Sequence, residues 1–180
     1  MNLLLTIGGI IAGIIVVVLL LAIVAPKQYT VQRSIVINKP REEVFNYVRY
    51  LRNQNNFSKW VMMDPAKRMT YRGIDGTVGF AAAWDSDIKQ AGKGEQTIVK
   101  IQENERIDIR VEFIRPFAGV AETFIATQSL GETATTVIWH FDSKMAFPMN
   151  AMLLFVSMDK MLGNDMEISL NNLKKVLEKK

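Results

Sequence analysis

Residues 149–180 read MNAMLLFVSMDKMLGNDMEISLNNLKKVLEKK. Met149, Met152, Leu153 and Val156, and then Leu162, Met166, Leu170, Leu173 and Leu177, recur three or four positions apart, the spacing of one face of an α-helix. This predicts a long amphipathic helix at the end of the chain, entered through a shorter helical piece over residues 150–156. Its closing basic run, Lys174, Lys175, Lys179 and Lys180, suits the negative end of a helix. A single apolar stripe has nothing to bury itself against, so a second layer must come from upstream.

Upstream the period changes to two. From residue 69 to 145 apolar and polar positions alternate, with turn signals at 73–76, 92–94, 103–105, 116–119 and 131–132. In residues 106–113 (RIDIRVEF), Ile107, Ile109, Val111 and Phe113 share one face and Arg106, Asp108, Arg110 and Glu112 the other. In residues 136–141 (TVIWHF) the core face is Val137, Trp139 and Phe141. Such alternation belongs to antiparallel strands with one covered face and one wet face. Residues 29–37 (YTVQRSIVI) add an earlier strand with Tyr29, Val31, Arg33, Ile35 and Ile37 on one face, interrupted by Arg33 alone. Pro40 then suits a first helical position, with Glu42 and Glu43 in the positive first turn, and Val44, Phe45, Val48 and Leu51 at helical spacing, for about three turns. The amide-rich residues 53–59 form a loop or broken helix before Trp60. The order is strand, helix, several strands, long helix: an α+β fold in which an antiparallel sheet curls around the last helix.

Residues 3–25 form an unbroken uncharged run of 23 residues, and no charge precedes Lys27. A helix of that length is about 34 Å long against a hydrocarbon core of about 30 Å, so it can span a bilayer. A cleaved signal peptide would have a basic start and small residues at the cleavage point; here only Met1 and Asn2 precede the run, and Pro26 follows Ala25. Residues 1–27 are thus expected to be an uncleaved single-pass anchor of the cell membrane, and residues 28–180 the folded domain. Lys27, Arg33, Lys39 and Arg41 place that domain in the cytoplasm and the N-terminus outside. The GxxxG spacing of Gly9 and Gly13 is common in membrane helices and decides nothing alone.

The remaining stretch of about 155 residues can bury about 70% of its unfolded surface without disulfides or metals. With no cysteine and His140 as the sole histidine, thiolate nucleophiles, iron–sulfur clusters and most zinc sites are excluded, and no cofactor or metal is expected. Residues 73–79 lack Walker and Rossmann spacing. The net charge of +4 comes from scattered basic residues without interleaved aromatics, so anionic lipid, not nucleic acid, is the expected partner.

Particular residues then carry a resemblance. They are the opening strand and Pro-x-Glu-x-Phe helix (residues 35–45), Trp60 with Asp64 and Pro65, the 76–79 GTVG turn and Trp84-Asp85-Ser86. The 92–94 GKG turn, Arg115-Pro116-Phe117, residues 136–139 and the closing Leu173-Lys174-Lys175 follow in order. Over residues 29–180 the chain resembles the START-like or Bet v 1-like (SRPBCC) superfamily, and within it the bacterial polyketide cyclase/dehydrase-like proteins with an N-terminal membrane anchor. The resemblance implies a helix-grip fold with a largely apolar cavity between sheet and C-terminal helix. It transfers no catalytic residue.

Trp60, Phe80, Trp84, Phe113, Phe124 and Trp139 are the candidates to line that cavity, because aromatic faces give apolar contact and indole N–H groups can orient a ligand. Met152 joins them from a methionine-rich C-terminal third that also holds Met145, Met149, Met158, Met161 and Met166; flexible thioethers suit adaptable surfaces. His140 alternates onto the wet face with Thr136, Asp142 and Lys144. Asp85 and Asp87 offer too few oxygens for a cation. The expected function is binding of a hydrophobic small molecule or lipid beside the membrane. A cyclase/dehydrase-like enzyme is the first alternative, to be favoured by Tyr71 or Glu122 buried at the cavity with a shifted pKa, and a co-chaperone-like interaction module the second.

Overall fold

Alternation builds the sheet, as the register makes plain. The computed structural model describes residues 2–179, so Met1 and Lys180, the latter part of the closing basic run, lie outside the described residues. The strands are β1 (Gln28–Ile37), β2 (Arg68–Arg72), β3 (Ala81–Asp85), β4 (Lys93–Gln102), β5 (Arg106–Arg115), β6 (Gly119–Ser129) and β7 (Thr135–Lys144). They form one antiparallel sheet in the order β1-β7-β6-β5-β4-β3-β2. The first and last strands are therefore neighbours, Gln28 opposite Lys144 and Ile37 opposite Thr135.

The helices are α1 (Asn2–Val24), α2 (Arg41–Val48), α3 (Lys59–Met62) and α4 (Met158–Glu178), with 3-10 segments at Leu51–Asn56 and Met149–Leu154. Ser157 starts α4 by accepting from the Lys160 amide, and Asp159 lies in its positive first turn. Met166, Leu170, Leu173 and Leu177 of α4 are buried in the same core as Val44, Phe45 and Val48 of α2 and the inner positions Val31, Ile98, Ile109 and Val137 of the sheet. Each such side chain contributes roughly 1.5–3 kcal/mol by leaving water.

Two boundaries differ from the sequence expectation. The helix after Pro40 stops at Val48 instead of running to Leu51, because the Asp75 carboxylate accepts from the backbone amides of Leu51 (2.9 Å) and Arg52 (3.1 Å) and draws them into the 3-10 segment. The turn expected at 92–94 lies earlier, and Lys93 and Gly94 already belong to β4. Gly92, at φ 60°, sits so close to the Arg115 carbonyl that a side chain would not fit.

In α1, Leu5–Val24 is long and apolar enough to cross a membrane. Its side chains are mostly exposed, but Ala22 and, just past the helix, Ala25 are buried, where the helix end meets the Met149–Leu154 segment. Asn150 Nδ2 donates there to the carbonyls of Ala22 (2.7 Å) and Ala25 (3.2 Å).

Candidate functional site: an apolar cavity

Between the inner face of the sheet, α3 and the start of α4 lies a cavity of about 330 Å³. Its wall is built from strand positions that alternate inward: Ile109, Val111 and Phe113 of β5, Thr123 of β6, Trp139 and Phe141 of β7. Trp60 and Val61 of α3 and Leu162 of α4 close the other side.

Each of the three tryptophans is fixed by its N–H. Trp60 Nε1 donates to Asp165 Oδ2 of α4 (3.0 Å), Trp84 Nε1 to the Ala91 carbonyl (2.9 Å) and Trp139 Nε1 to Thr123 Oγ1 (3.1 Å). The indoles of Trp60 and Trp139 meet edge to face at 5.6 Å, as do Trp84 and Phe113 at 6.1 Å. Because these N–H groups are already satisfied, the rings offer the cavity carbon surface, contrary to the expectation that they would orient a polar ligand group. Trp84 packs over its cross-strand partner Gly94, where a Cβ would come within 2.5 Å of the indole and of the Glu112 carbonyl. Polar contact on the wall falls instead to Gln54, Ser58, Gln96, Lys67 and Arg115. Lys67 Nζ also donates to the carbonyls of Val61 and Asp64, and Arg115 pairs with Asp85.

Trp60, Trp84, Phe113 and Trp139 are thus brought together around one space. Phe80, Phe124 and Met152 lie elsewhere. Phe80 is fully buried against Tyr71, ring centroids 6.0 Å apart, within the core. Phe124 points to the outer face, since Thr123 and Ile125 take the inward positions of β6; it stacks on His140 at 4.6 Å beneath the Arg106 guanidinium. Met152 lies in the 3-10 segment beside α1, about half exposed. The sequence reading missed Met63, Met69, Gln54 and Gln96, whose positions depend on loop paths and on a sheet edge that no local period reveals.

Among the described residues the wall contains neither carboxylate nor imidazole. Tyr71 stacks on Phe80 and Arg52, and Glu122 pairs with Arg110 on the outer face. The hydrogen bond from Lys93 holds the Asp85 carboxyl below the ordinary carboxylate range. Ser86 does the same for buried Asp64. Among the described residues no three His, Cys, Asp or Glu side chains gather as a metal site.

The exposed lining residues Gln90, Arg115, Pro116 and Phe117 gather at one end of the sheet, where the cavity meets solvent. By register, Gln28, Lys144, Gly119, Arg115, Lys93 and Asp85 share that end. Gln90 and Ala91 from the β3–β4 loop and Pro116 and Phe117 from the β5–β6 loop line the cavity there. It is the end at which α1 joins β1.

Residues 28–178 match the family described as polyketide cyclase / dehydrase and lipid transport. No curated protein matches the chain. Solved structures with the same fold include a protein from Thermobifida fusca, 16% identical, TM-score 0.59, covering 82% of this chain and 92% of that one. A Chromobacterium violaceum protein is 16% identical, TM-score 0.58, covering 84% and 98%. Norcoclaurine synthase from Thalictrum flavum, in complex with dopamine and hydroxybenzaldehyde, is 10% identical, TM-score 0.59, covering 85% and 88%.

Proposed function

Because the chain belongs to the polyketide cyclase/dehydrase and lipid transport family, we propose that its cavity binds one hydrophobic small molecule or lipid, held beside a membrane in which α1 is the anchor. The observation that carries this reading is the cavity wall itself. Three tryptophans whose N–H groups are already taken, with Val111, Phe113 and Phe141, enclose about 330 Å³, within the ordinary range for small-molecule sites. Among the described residues the wall holds no carboxylate or imidazole, and its one lysine, Lys67, has its ammonium engaged by the carbonyls of Val61 and Asp64, which favours carriage over catalysis. Norcoclaurine synthase, a protein of this fold in complex with dopamine and hydroxybenzaldehyde, supports a small organic molecule as the class of ligand.

The anchor reading rests on length, about 30 Å for the 20 residues of Leu5–Val24, and on exposure of nearly all its side chains. The basic residues that follow it support a cytoplasmic domain. A tether keeps the cavity at high effective concentration beside the bilayer, and the cavity mouth lies at the sheet end from which the tether leaves. An isoprenoid, quinone-like compound or acyl lipid fits such a place.

The test uses residues 28–180, whose core, among the described residues, takes none from α1. Purified without detergent, the domain should retain an apolar compound, one per chain by native mass spectrometry, identifiable in an organic extract. Val111→Trp, which fills the cavity from β5, should fold and lose it. An empty, folded domain that takes up no added phospholipid, isoprenoid or quinone would overturn the reading.

A further inference from the structure

Residues 145–158 (MAFPMNAMLLFVSM) form a second long uncharged stretch. They run from the end of β7 to the first residue of α4, Met158, and contain the 3-10 segment Met149–Leu154. The segment turns large apolar side chains outward: Phe147 is 51% exposed, Met152 47%, Leu154 43% and Phe155 76%, the last matching Val24 of α1 at 74%. Contiguous exposed apolar groups of this kind mark an interaction surface.

Its position relative to α1 is fixed. The last carbonyls of a helix have no partner within the helix, and here Asn150, fully buried, supplies its amide to those of Ala22 and Ala25. The apolar segment is therefore clamped at the level where α1 ends, continuous with its apolar surface. Lys27 and Lys144 flank this level, and no acidic residue occurs between Asp142 and Asp159, a charge pattern complementary to anionic headgroups.

We infer that residues 145–158 are an interfacial foot, resting in the headgroup layer of the bilayer that α1 spans, with Phe147, Leu154 and Phe155 at the acyl boundary and Asn150 as the clamp. This rests on the reading of α1 as an anchor. Amphipathic helices that lie in the interface bury their apolar face about 5–10 Å deep, a depth that large side chains such as Phe147 and Phe155 can reach. The foot holds the cavity mouth, with exposed Phe117 at its rim, against the lipid surface, so an apolar ligand passes between bilayer and cavity without crossing water.

The chain has no cysteine, so one introduced thiol labels one place. The full chain is reconstituted into phosphatidylcholine and phosphatidylglycerol vesicles with an environment-sensitive fluorophore on Phe155→Cys or, as control, on Ile74→Cys, an exposed position in the β2–β3 loop at the opposite end of the sheet. The label at position 155 should emit to the blue and be quenched by lipids brominated in their tails. The label at position 74 should be quenched by aqueous iodide. Adding Asn150→Ala should reduce the lipid quenching at position 155, and undiminished quenching overturns the clamp. Iodide quenching at 155 equal to that at 74, in chains that float with the vesicles, overturns the foot while leaving anchor and cavity standing. Chains that do not float overturn anchor and foot together. Ligand retention by residues 28–180 is scored separately, so failure of the cavity reading is distinguishable from either.

Discussion

Gly163 of α4 lies directly against the Arg33 guanidinium of β1, leaving no room for a side chain between helix and strand. The Arg33 Nε donates to Glu167 (2.6 Å) and its Nη1 to Asp159 (2.8 Å). Those carboxylates stand one helical turn to either side of Gly163. Arg33 occupies an inner-facing position of β1, where an unpaired cation would be costly, and the groove over the glycine lets it reach two anions. Arg33 in turn holds the Asp159 carboxyl below the ordinary carboxylate range. The one polar interruption of the strand's apolar face is thus answered by the one gap in the helix surface.

This arrangement predicts a sign reversal. Alanine for glycine inside a helix ordinarily gains about 1 kcal/mol. In the native background Gly163→Ala should bring no gain and lower the thermal midpoint, because the methyl displaces the guanidinium. In an Arg33→Met background the same change should stabilise by about 1 kcal/mol. Equal effects in both backgrounds, measured by urea unfolding of residues 28–180, would show that the contact does not couple the two sites.

Acid should act through Asp64. Its buried carboxylate accepts from Ser86 Oγ and from the Ala66 amide (2.9 Å), tying the turn after α3 to the end of β3. Ser86 foremost lowers its pKa below the ordinary 3.8. A folded value below the unfolded one means the contribution is complete above the unfolded pKa and vanishes as pH falls through the folded one. The stability gap between the native chain and Asp64→Asn should therefore be flat from about pH 7 to about pH 5 and close below it. Asp85 and Asp159, also lowered, are common to both proteins and cancel. A gap that widens on acidification would refute the assignment.

Period alone made the sheet, its wet face and the buried stripe of α4 legible: Met166, Leu170, Leu173 and Leu177 are all in the core. It also placed His140 correctly on the outer face. Phe124 misled because the inner face of β6 carries Thr123 and Thr127, polar residues that blur the alternation and make the outward phenylalanine look like core. Phe80 lies just before β3, where strand period assigns no face. The tryptophan N–H partners were out of reach, Asp165 being 105 residues from Trp60. The resemblance to a helix-grip fold supplied the cavity as an idea; only the tertiary paths of α3 and the β3–β4 loop determine which side chains enclose it.

Gly94 offers a handle on ligand size. Because a methyl there would come within 2.5 Å of the Glu112 carbonyl as well as of the Trp84 indole, both the β4–β5 backbone and the indole must shift, and the indole is part of the cavity wall. Gly94→Ala should destabilise by roughly 1–3 kcal/mol, as overpacking does, and reduce the fraction of domain carrying ligand. Adding Trp84→Leu should recover part of both. Native mass spectrometry and urea midpoints check the pair; full occupancy with unchanged stability in Gly94→Ala would contradict the geometry.

Membrane side and retention of α1 can be tested on one chain. On the proposal that α1 is an anchor, the positive charge that follows it at Lys27, Arg33, Lys39 and Arg41 predicts a domain on the cytoplasmic side. Cleavage after Ala25 would also strip helix α1 from Asn150, whose buried amide would lose the Ala22 and Ala25 carbonyls at a cost of about 1–3 kcal/mol. The prediction is that Ile74→Cys, 75% exposed, resists a membrane-impermeant maleimide in intact cells and reacts after lysis. The chain should stay with the membranes through an alkaline wash and retain residues 1–25 by mass. Labelling of intact cells would place the domain outside, and a chain beginning at Pro26 would make the helix a leader.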